Sequence, residues 1–157
     1  MDIFEAARTN AVDALRNLLK TVNPDIVDSR GSTPLIVASY FGNREAVQLL
    51  LAANADPNIL DSTGNTALMG VAYRGHIDVA ELLLSQGASV DTLNGNQATA
   101  LTFAATFGQT AIVKLLLKYG ANPLIKDRFQ KNPIDYAQNQ ENEEAYELLV
   151  AALKSVN

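Results

Sequence analysis

Between Asp61 and Leu93 the apolar residues recur at i, i+3 and i+4, the spacing that lines one face of a helix. Leu68, Val71 and Ala72 make one such set, and Val79, Leu82 and Leu83 make a second, with Gly75 between them. Two short amphipathic helices are predicted, interrupted at Gly75 and ended at Gly87, a residue suited to the left-handed position that follows a helix. The polar residues in front of the first set are turn formers. Asp61 can bond forward to the backbone, Gly64 accepts positive φ without steric cost, and the Thr66 hydroxyl can cap the first helix. The predicted unit is a turn, a helix, a turn, a helix and a long return loop.

That unit comes back on both sides. Leu35, Leu68, Leu101 and Ile134 stand 33 residues apart, and Asp28, Asp61 and Asp127 form a second column in which Asn94 fills the missing place. Pro34 and Pro133 follow a capping Thr or Asn, at a first helical position whose amide needs no partner. A repeat of this length means stacked units, each of which finds its core only against its neighbours. Full repeats are expected over 28–60, 61–93 and 94–126, between an N-terminal capping repeat at 1–27 and a C-terminal one at 127–157, all in a single domain.

The two caps depart from the unit in ways that suit chain ends. Asp2 followed by Glu5 starts the first helix in the manner of a capping box, and Arg8, Asp13, Arg16 and Asn17 can face water where an internal repeat would face a neighbour. Near Glu141 the inter-helix Gly gives way to a polar run. A final helix over 143–154 is expected to keep Leu148, Leu149 and Leu153 inside and to show Glu143, Glu144, Glu147 and Lys154 to solvent. Inside the stack, Asn54 replaces the helix-ending Gly, a swap that Asn tolerates. Gln97 stands where Gly31 and Gly64 would place positive φ, so this finger is expected to turn at Asn94-Gly95 instead, with a different tip shape.

Composition narrows the function. The formal charge of −5 disfavours a broad nucleic-acid or anionic-membrane surface, because either needs a basic patch. With no cysteine, a disulfide framework and a thiolate metal site are both ruled out. The N-terminus MDIFEAARTN carries acidic residues where a secretion signal needs basic ones, and no apolar run approaches the roughly 18 residues of a membrane span. The expectation is a cytoplasmic protein.

Catalytic chemistry has little to stand on. His76 is the single histidine, and its place at the head of a second helix is explained by ordering the turn. Four-ligand structural zinc cannot be assembled, and neither a Walker loop nor G-x-G-x-x-G occurs. The run from Asp91 to Asn96 lacks the alternating ligands and closing Glu of a calcium loop. Asp61 and Asp127 are accounted for by turn chemistry before any acid–base role. No cofactor, metal or enzymatic activity is expected.

Taken together, these residues resemble the ankyrin repeat. One copy shows Asp28, Gly31, Thr33, Pro34, Leu35, Gly42, Leu49, Leu50, Ala55 and Asp56. The next shows Asp61, Gly64, Thr66, Leu68, Gly75, His76, Leu82, Leu83, Gly87 and Ala88, and a third shows Thr99, Leu101, Ala104, Ala105, Gly108, Leu115, Leu116, Gly120, Ala121 and Pro123. The resemblance implies an all-α solenoid of stacked helix-turn-helix units with β-hairpin-like finger loops, used to hold other proteins. It also exposes a departure. The family often places His after the column Leu, where it bonds the capping Thr, whereas here that position reads Ile36, Met69, Thr102 and Asp135, so the bond is expected to be missing throughout and the fingers to be looser.

In this family the partner lies against the concave face, formed by finger tips and the exposed edge of the first helices. Carried over by position, the tips offer Ser29, Arg30 and Ser32, then Ser62, Thr63 and Asn65, then Gly95, Asn96 and Ala98, then Arg128, Phe129 and Lys131. The residues before each inter-helix Gly are Tyr40 and Phe41, Tyr73 and Arg74, then Thr106 and Phe107. Aromatics and Arg are the types enriched at binding hot spots. The leading reading is a non-catalytic, monomeric module that binds a partner protein, with no nucleic acid and no membrane. A small enzyme or ligand-binding protein using the groove, and a regulatory or protective subunit of an enzyme, are the alternatives.

Overall fold

A computed structural model describes residues 1–156 of the chain. Its described residues form ten helices and no strand: α1 (Ile3–Thr9), α2 (Val12–Leu18), α3 (Pro34–Tyr40), α4 (Arg44–Ala52), α5 (Ala67–Arg74), α6 (Ile77–Ser85), α7 (Ala100–Thr106), α8 (Thr110–Lys118), α9 (Pro133–Asn139) and α10 (Glu143–Val156). They come as five pairs. The odd-numbered helices stack on one another in chain order as an inner row, and the even-numbered helices follow as a less closely packed outer row.

Each inner helix begins the way its sequence dictates. Asp2, Thr33, Thr66, Thr99 and Asn132 have extended backbone and accept, through the side chain, from the amide three residues on. Such a cap contributes about 1 kcal/mol by satisfying an amide the helix leaves orphaned. Inner helices end against a left-handed residue, Gly42, Gly75 or Gly108 in the middle of the stack and Asn10 or Glu141 at its ends. Asn54, Gly87 and Gly120 do the same after the outer helices, as anticipated for Asn54 and Gly87.

Side chains of the repeating columns form one continuous core. Leu35, Leu68 and Leu101 of the inner row and Leu50, Leu83 and Leu116 of the outer row are all 1% exposed or less. Ile134, on the last inner helix of the described residues, is only partly buried. On the N-terminal pair Arg8, Asp13, Arg16 and Asn17 are exposed, which leaves that end of the stack wet. The last helix runs to Val156, two residues beyond the expected Lys154, with Leu149 buried and Glu143, Glu144 and Glu147 outside. Asn157, the end of the expected C-terminal cap, lies outside the described residues.

Neighbouring repeats are also tied by polar side chains that recur every 33 residues. At the heads of α4, α6 and α8, Asn43 donates to the carbonyls of Ala7 and Arg8, His76 Nε2 to that of Tyr40 at 3.1 Å, and Gln109 to that of Tyr73 at 3.1 Å. Orphan carbonyls at the end of one inner helix are thereby satisfied by the next repeat. The His76 ring lies against Gly42, where an added Cβ would sit 2.6 Å from Nδ1. In the return loops Asp25, Asn58 and Asp91 accept from the amides of Asp56, Ser89 and Asn122.

Four fingers repeat one turn. Asp28, Asp61, Asn94 and Asp127 each accept through Oδ1 from the amides two and four residues on, and each donates its own amide to the carbonyl four residues on. Successive fingers are joined by single backbone bonds, Ser62 to Arg30, Gly95 to Thr63 and Arg128 to Asn96. The third finger corrects the expectation of a displaced turn. Gln97 adopts φ 61° and its amide donates to Asn94 at 2.9 Å, the bond that Gly31 and Gly64 make to Asp28 and Asp61. Asn94 grips the loop as firmly as an Asp, and that grip holds a non-Gly residue in the left-handed region at a cost of about 1–2 kcal/mol. Gly64 has a second reason to be glycine, since an added Cβ would stand 2.8 Å from the Gly95 amide nitrogen.

The capping bonds expected to be missing are restored in two places. Thr102 Oγ1 accepts from the Thr99 amide at 3.0 Å, and Asp135 Oδ2 from the Asn132 amide at 2.9 Å. Each makes a reciprocal capping box. Ile36 and Met69 have no such group; Met69 is buried in the core and Ile36 packs partly buried against it.

Two stability outcomes follow. Leu83→Ala should cost about 2–5 kcal/mol in urea denaturation, and Leu82→Ala, whose side chain is partly exposed, distinctly less; equal costs would mean that the outer helix is rotated from the position described. Gln97→Gly should stabilise by about 0.5–1 kcal/mol through relief of left-handed strain, whereas Gly64→Ala should destabilise by more than that.

Candidate functional site

Inner helices and fingers enclose an open groove of ≈ 950 Å³. Arg30, Ser32, Ser62, Thr63 and Asn65 line the finger side, and Tyr40, Phe41 and Tyr73 line the helix side. Its floor is Ile36, Val37, Met69, Gly70 and Phe103, and α1 closes the N-terminal end with Asp2, Phe4, Glu5 and Arg8.

The helix side is built as a ladder. Tyr40 stacks on Tyr73 with centroids 6.4 Å apart and planes 9° from parallel, Tyr73 meets Phe107 edge-on at 4.6 Å, and Phe41 meets Tyr40 edge-on at 5.3 Å. The Arg74 guanidinium lies 4.8 Å from the Tyr40 ring centroid, which holds that ring from a second direction. These side chains sit at or just past the C-terminal ends of α3, α5 and α7. The Tyr40 and Tyr73 carbonyls are held by His76 and Gln109, so the backbone that carries the ladder is clamped by the following repeat. Tyr40, Phe41, Tyr73 and Phe107 keep 38 to 49% of their surface exposed; the ladder is packed within itself and still open to a partner.

The structure divides the residues expected at the site. Arg30, Tyr40, Phe41, Thr63, Asn65 and Tyr73 share the groove, and Arg74 and Phe107 extend its aromatic side. Asn65 is partly engaged, since its Oδ1 accepts from Asn94 Nδ2 at 2.8 Å. Thr106 is turned back on its helix, donating to the Thr102 carbonyl at 2.6 Å. Asn96, Arg128 and Phe129 form a separate cluster at the last two tips, where Arg128 bonds Asn96 at 3.1 Å and lies 4.9 Å over the exposed Phe129 ring. Ala98, also expected at a tip, is 7% exposed and packs under its finger.

Sequence reasoning passed over the groove floor and the contribution of α1. The signal was present as a column at the 33-residue spacing, Val37, Gly70, Phe103 and Tyr136, which neither the Leu nor the Ala pattern explains. At its last member the Tyr136 hydroxyl donates to Oδ2 of Asp127, the one buried carboxylate among the described residues. Burial, this hydrogen bond and the negative charges of Asp127 and Asp135 push the phenol up to about 12. Among the described residues, no group of three or more His, Cys, Asp or Glu is placed to hold a metal ion, and no helix is long and apolar enough to cross a membrane.

Short helices in translated pairs, joined by fingers that carry a groove along one side, define a stacked-repeat scaffold. The chain belongs to the ankyrin repeat family: a family description of ankyrin repeats in three copies matches residues 3–94, and a second, of many copies, matches residues 83–137. Repeats of this family serve in general as protein–protein interaction modules. A search of curated proteins finds no match.

The Tyr136–Asp127 pair has a pH signature. Because the folded phenol titrates near 12 and an unfolded one near ~10, its contribution is fully present below pH ~10 and is lost as pH rises toward 12. Tyr136→Phe should therefore be less stable than the parent at neutral pH, with the gap closing across that alkaline window. Urea midpoints measured at a series of pH values check this, and a constant gap would contradict it.

Proposed function

We infer that the protein is a non-catalytic binding module that holds another protein against the groove between its fingers and inner helices. The observation that carries this reading is the ladder Tyr40–Tyr73–Phe107 with Arg74 stacked on it. The repeat does not need these side chains, because its apolar interior is filled by the Leu and Ala columns. Aromatic and guanidinium groups that stay exposed on a rigid backbone are what binding hot spots are made of. The net charge of −5 favours a protein partner over a nucleic acid. The same reading makes the chain a monomeric cytoplasmic adaptor, and its partner can be an enzyme that it regulates or protects.

Affinity purification with the wild-type chain, followed by mass spectrometry, identifies the partner. Replacing Tyr40, Tyr73 and Phe107 together by Ala should then weaken the purified complex by about 100-fold or more, as loss of several hot-spot residues does. The helical circular dichroism should be retained, and unchanged affinity with intact helicity would count against the reading.

A further inference from the structure

One place on the inner helices, nine residues after each finger Asp or Asn, holds Val37, Gly70, Phe103 and Tyr136 in turn. At the last of them the phenol crosses to the finger and donates to Asp127 Oδ2. At Gly70 there is no side chain. The matching oxygen, Asp61 Oδ2, accepts from none of the described residues, since the amides of Thr63 and Asn65 and the Thr63 hydroxyl all go to Oδ1. Asp61 and Gly70 line the same groove as Tyr40, Tyr73 and Phe103.

Nothing in the backbone asks for glycine at this position. Of the nine glycines, seven have positive φ and Gly95 packs so closely that a Cβ would lie 3.0 Å from the Thr63 carbonyl oxygen. Gly70 has neither constraint, and an added Cβ would meet nothing nearer than Tyr40 at 3.6 Å. Inside a helix Gly is less favourable than Ala, so the position gives up helix stability and leaves in return a notch that the Tyr40 side chain borders at van der Waals distance. Val37, Phe103 and Tyr136 demonstrate that the fold accepts larger side chains here.

We propose that the notch over Gly70 is a subsite for a tyrosine side chain presented by the partner protein, its ring lying between Tyr40, Tyr73 and Phe103 and its hydroxyl donating to Asp61 Oδ2. The occupant repeats between chains what Tyr136 does for Asp127 within this one. The proposal rests on the protein-binding reading of the groove and gives that reading a recognition element. Charge agrees with a neutral donor: Asp2, Glu5, Asp28 and Asp61 outnumber Arg8 and Arg30 along the groove, so an anionic side chain such as phosphotyrosine is repelled.

The test uses a display library of short random peptides panned on the full chain. Tyrosine should be enriched at one position, and the selected peptide is then made with Tyr, Phe or phosphotyrosine there. Phe should weaken binding about tenfold, as loss of a hydrogen bond to a charged group does, and phosphotyrosine should abolish it. Asp61→Asn keeps the finger turn, as Asn94 does in the next finger, and should erase the preference for Tyr over Phe. Gly70→Phe should fold normally and lose the peptide. Enrichment of Lys, Arg or acidic residues in place of Tyr, no enrichment at all, equal binding of the Tyr and Phe peptides, or a preference that survives Asp61→Asn overturns the subsite. If the peptides instead bind the Tyr40, Tyr73, Phe107 triple variant undiminished, it is the groove reading itself that fails.

Discussion

Two helices of seven to nine residues cannot enclose a core, and the molecule is arranged around that limit. The fully buried Leu residues of the central columns belong to one core that runs continuously through the repeats. Burial of each contributes roughly 1.5–3 kcal/mol, which an isolated pair would lose to ordering its backbone at about 1–2 kcal/mol per residue. The polar bonds between repeats obey the same limit. Asn43, His76 and Gln109 complete the carbonyl ends of helices in the repeat before them, so even the backbone of one unit is finished by the next. Stability in this chain therefore belongs to interfaces, and a change at one repeat is felt by its neighbours.

Because the four fingers and their helices are copies within one chain, each is a control for the others. Where they agree, in the Leu and Ile columns, the finger carboxamide or carboxylate and the side-chain oxygen that caps each inner helix, the fold sets the residue. Where they disagree without disturbing the backbone, as at Val37, Gly70, Phe103 and Tyr136, the fold is indifferent and the residue is free to serve something else. The groove floor lies in such a column. The aromatic ladder lies in two more, in which Tyr40 and Tyr73 are followed by Thr106, and Phe41 and Arg74 by Phe107.

The architecture was legible because the period is strict and each punctuating residue has one mechanical job. Asp61, Thr66 and Gly75 act as their chemistry says. Gln97 was misread because glycine does two jobs in these fingers, supplying positive φ and allowing the next finger to approach. The first was assumed to need glycine, yet the turn is held by Asn94 closely enough for Gln to do it. Thr102 and Asp135 were read as the loss of an expected bond, although a short side chain three residues after the cap can reach back to the cap amide. The groove was half legible. Its aromatic wall stands out by residue type, whereas its floor depends on which face of α5 and α7 turns inward, and α1 enters only once the stack is built.

The coupling between repeats also bears on how a groove of this kind binds. Association is opposed by the cost of ordering side chains and loops at the interface, about 0.5–1.5 kcal/mol for each flexible side chain immobilised. Here much of that ordering is done by folding. Tyr40 is held between Tyr73 and Arg74, the carbonyls beneath the ladder are bonded to the following repeat, and the finger wall is stitched by one backbone bond per step. Side chains along the groove are thus ordered by folding, and the binding reading proposed above needs little further ordering of them. A wall held in this way has little freedom to relax around a mismatched group, which is what the proposed subsite relies on.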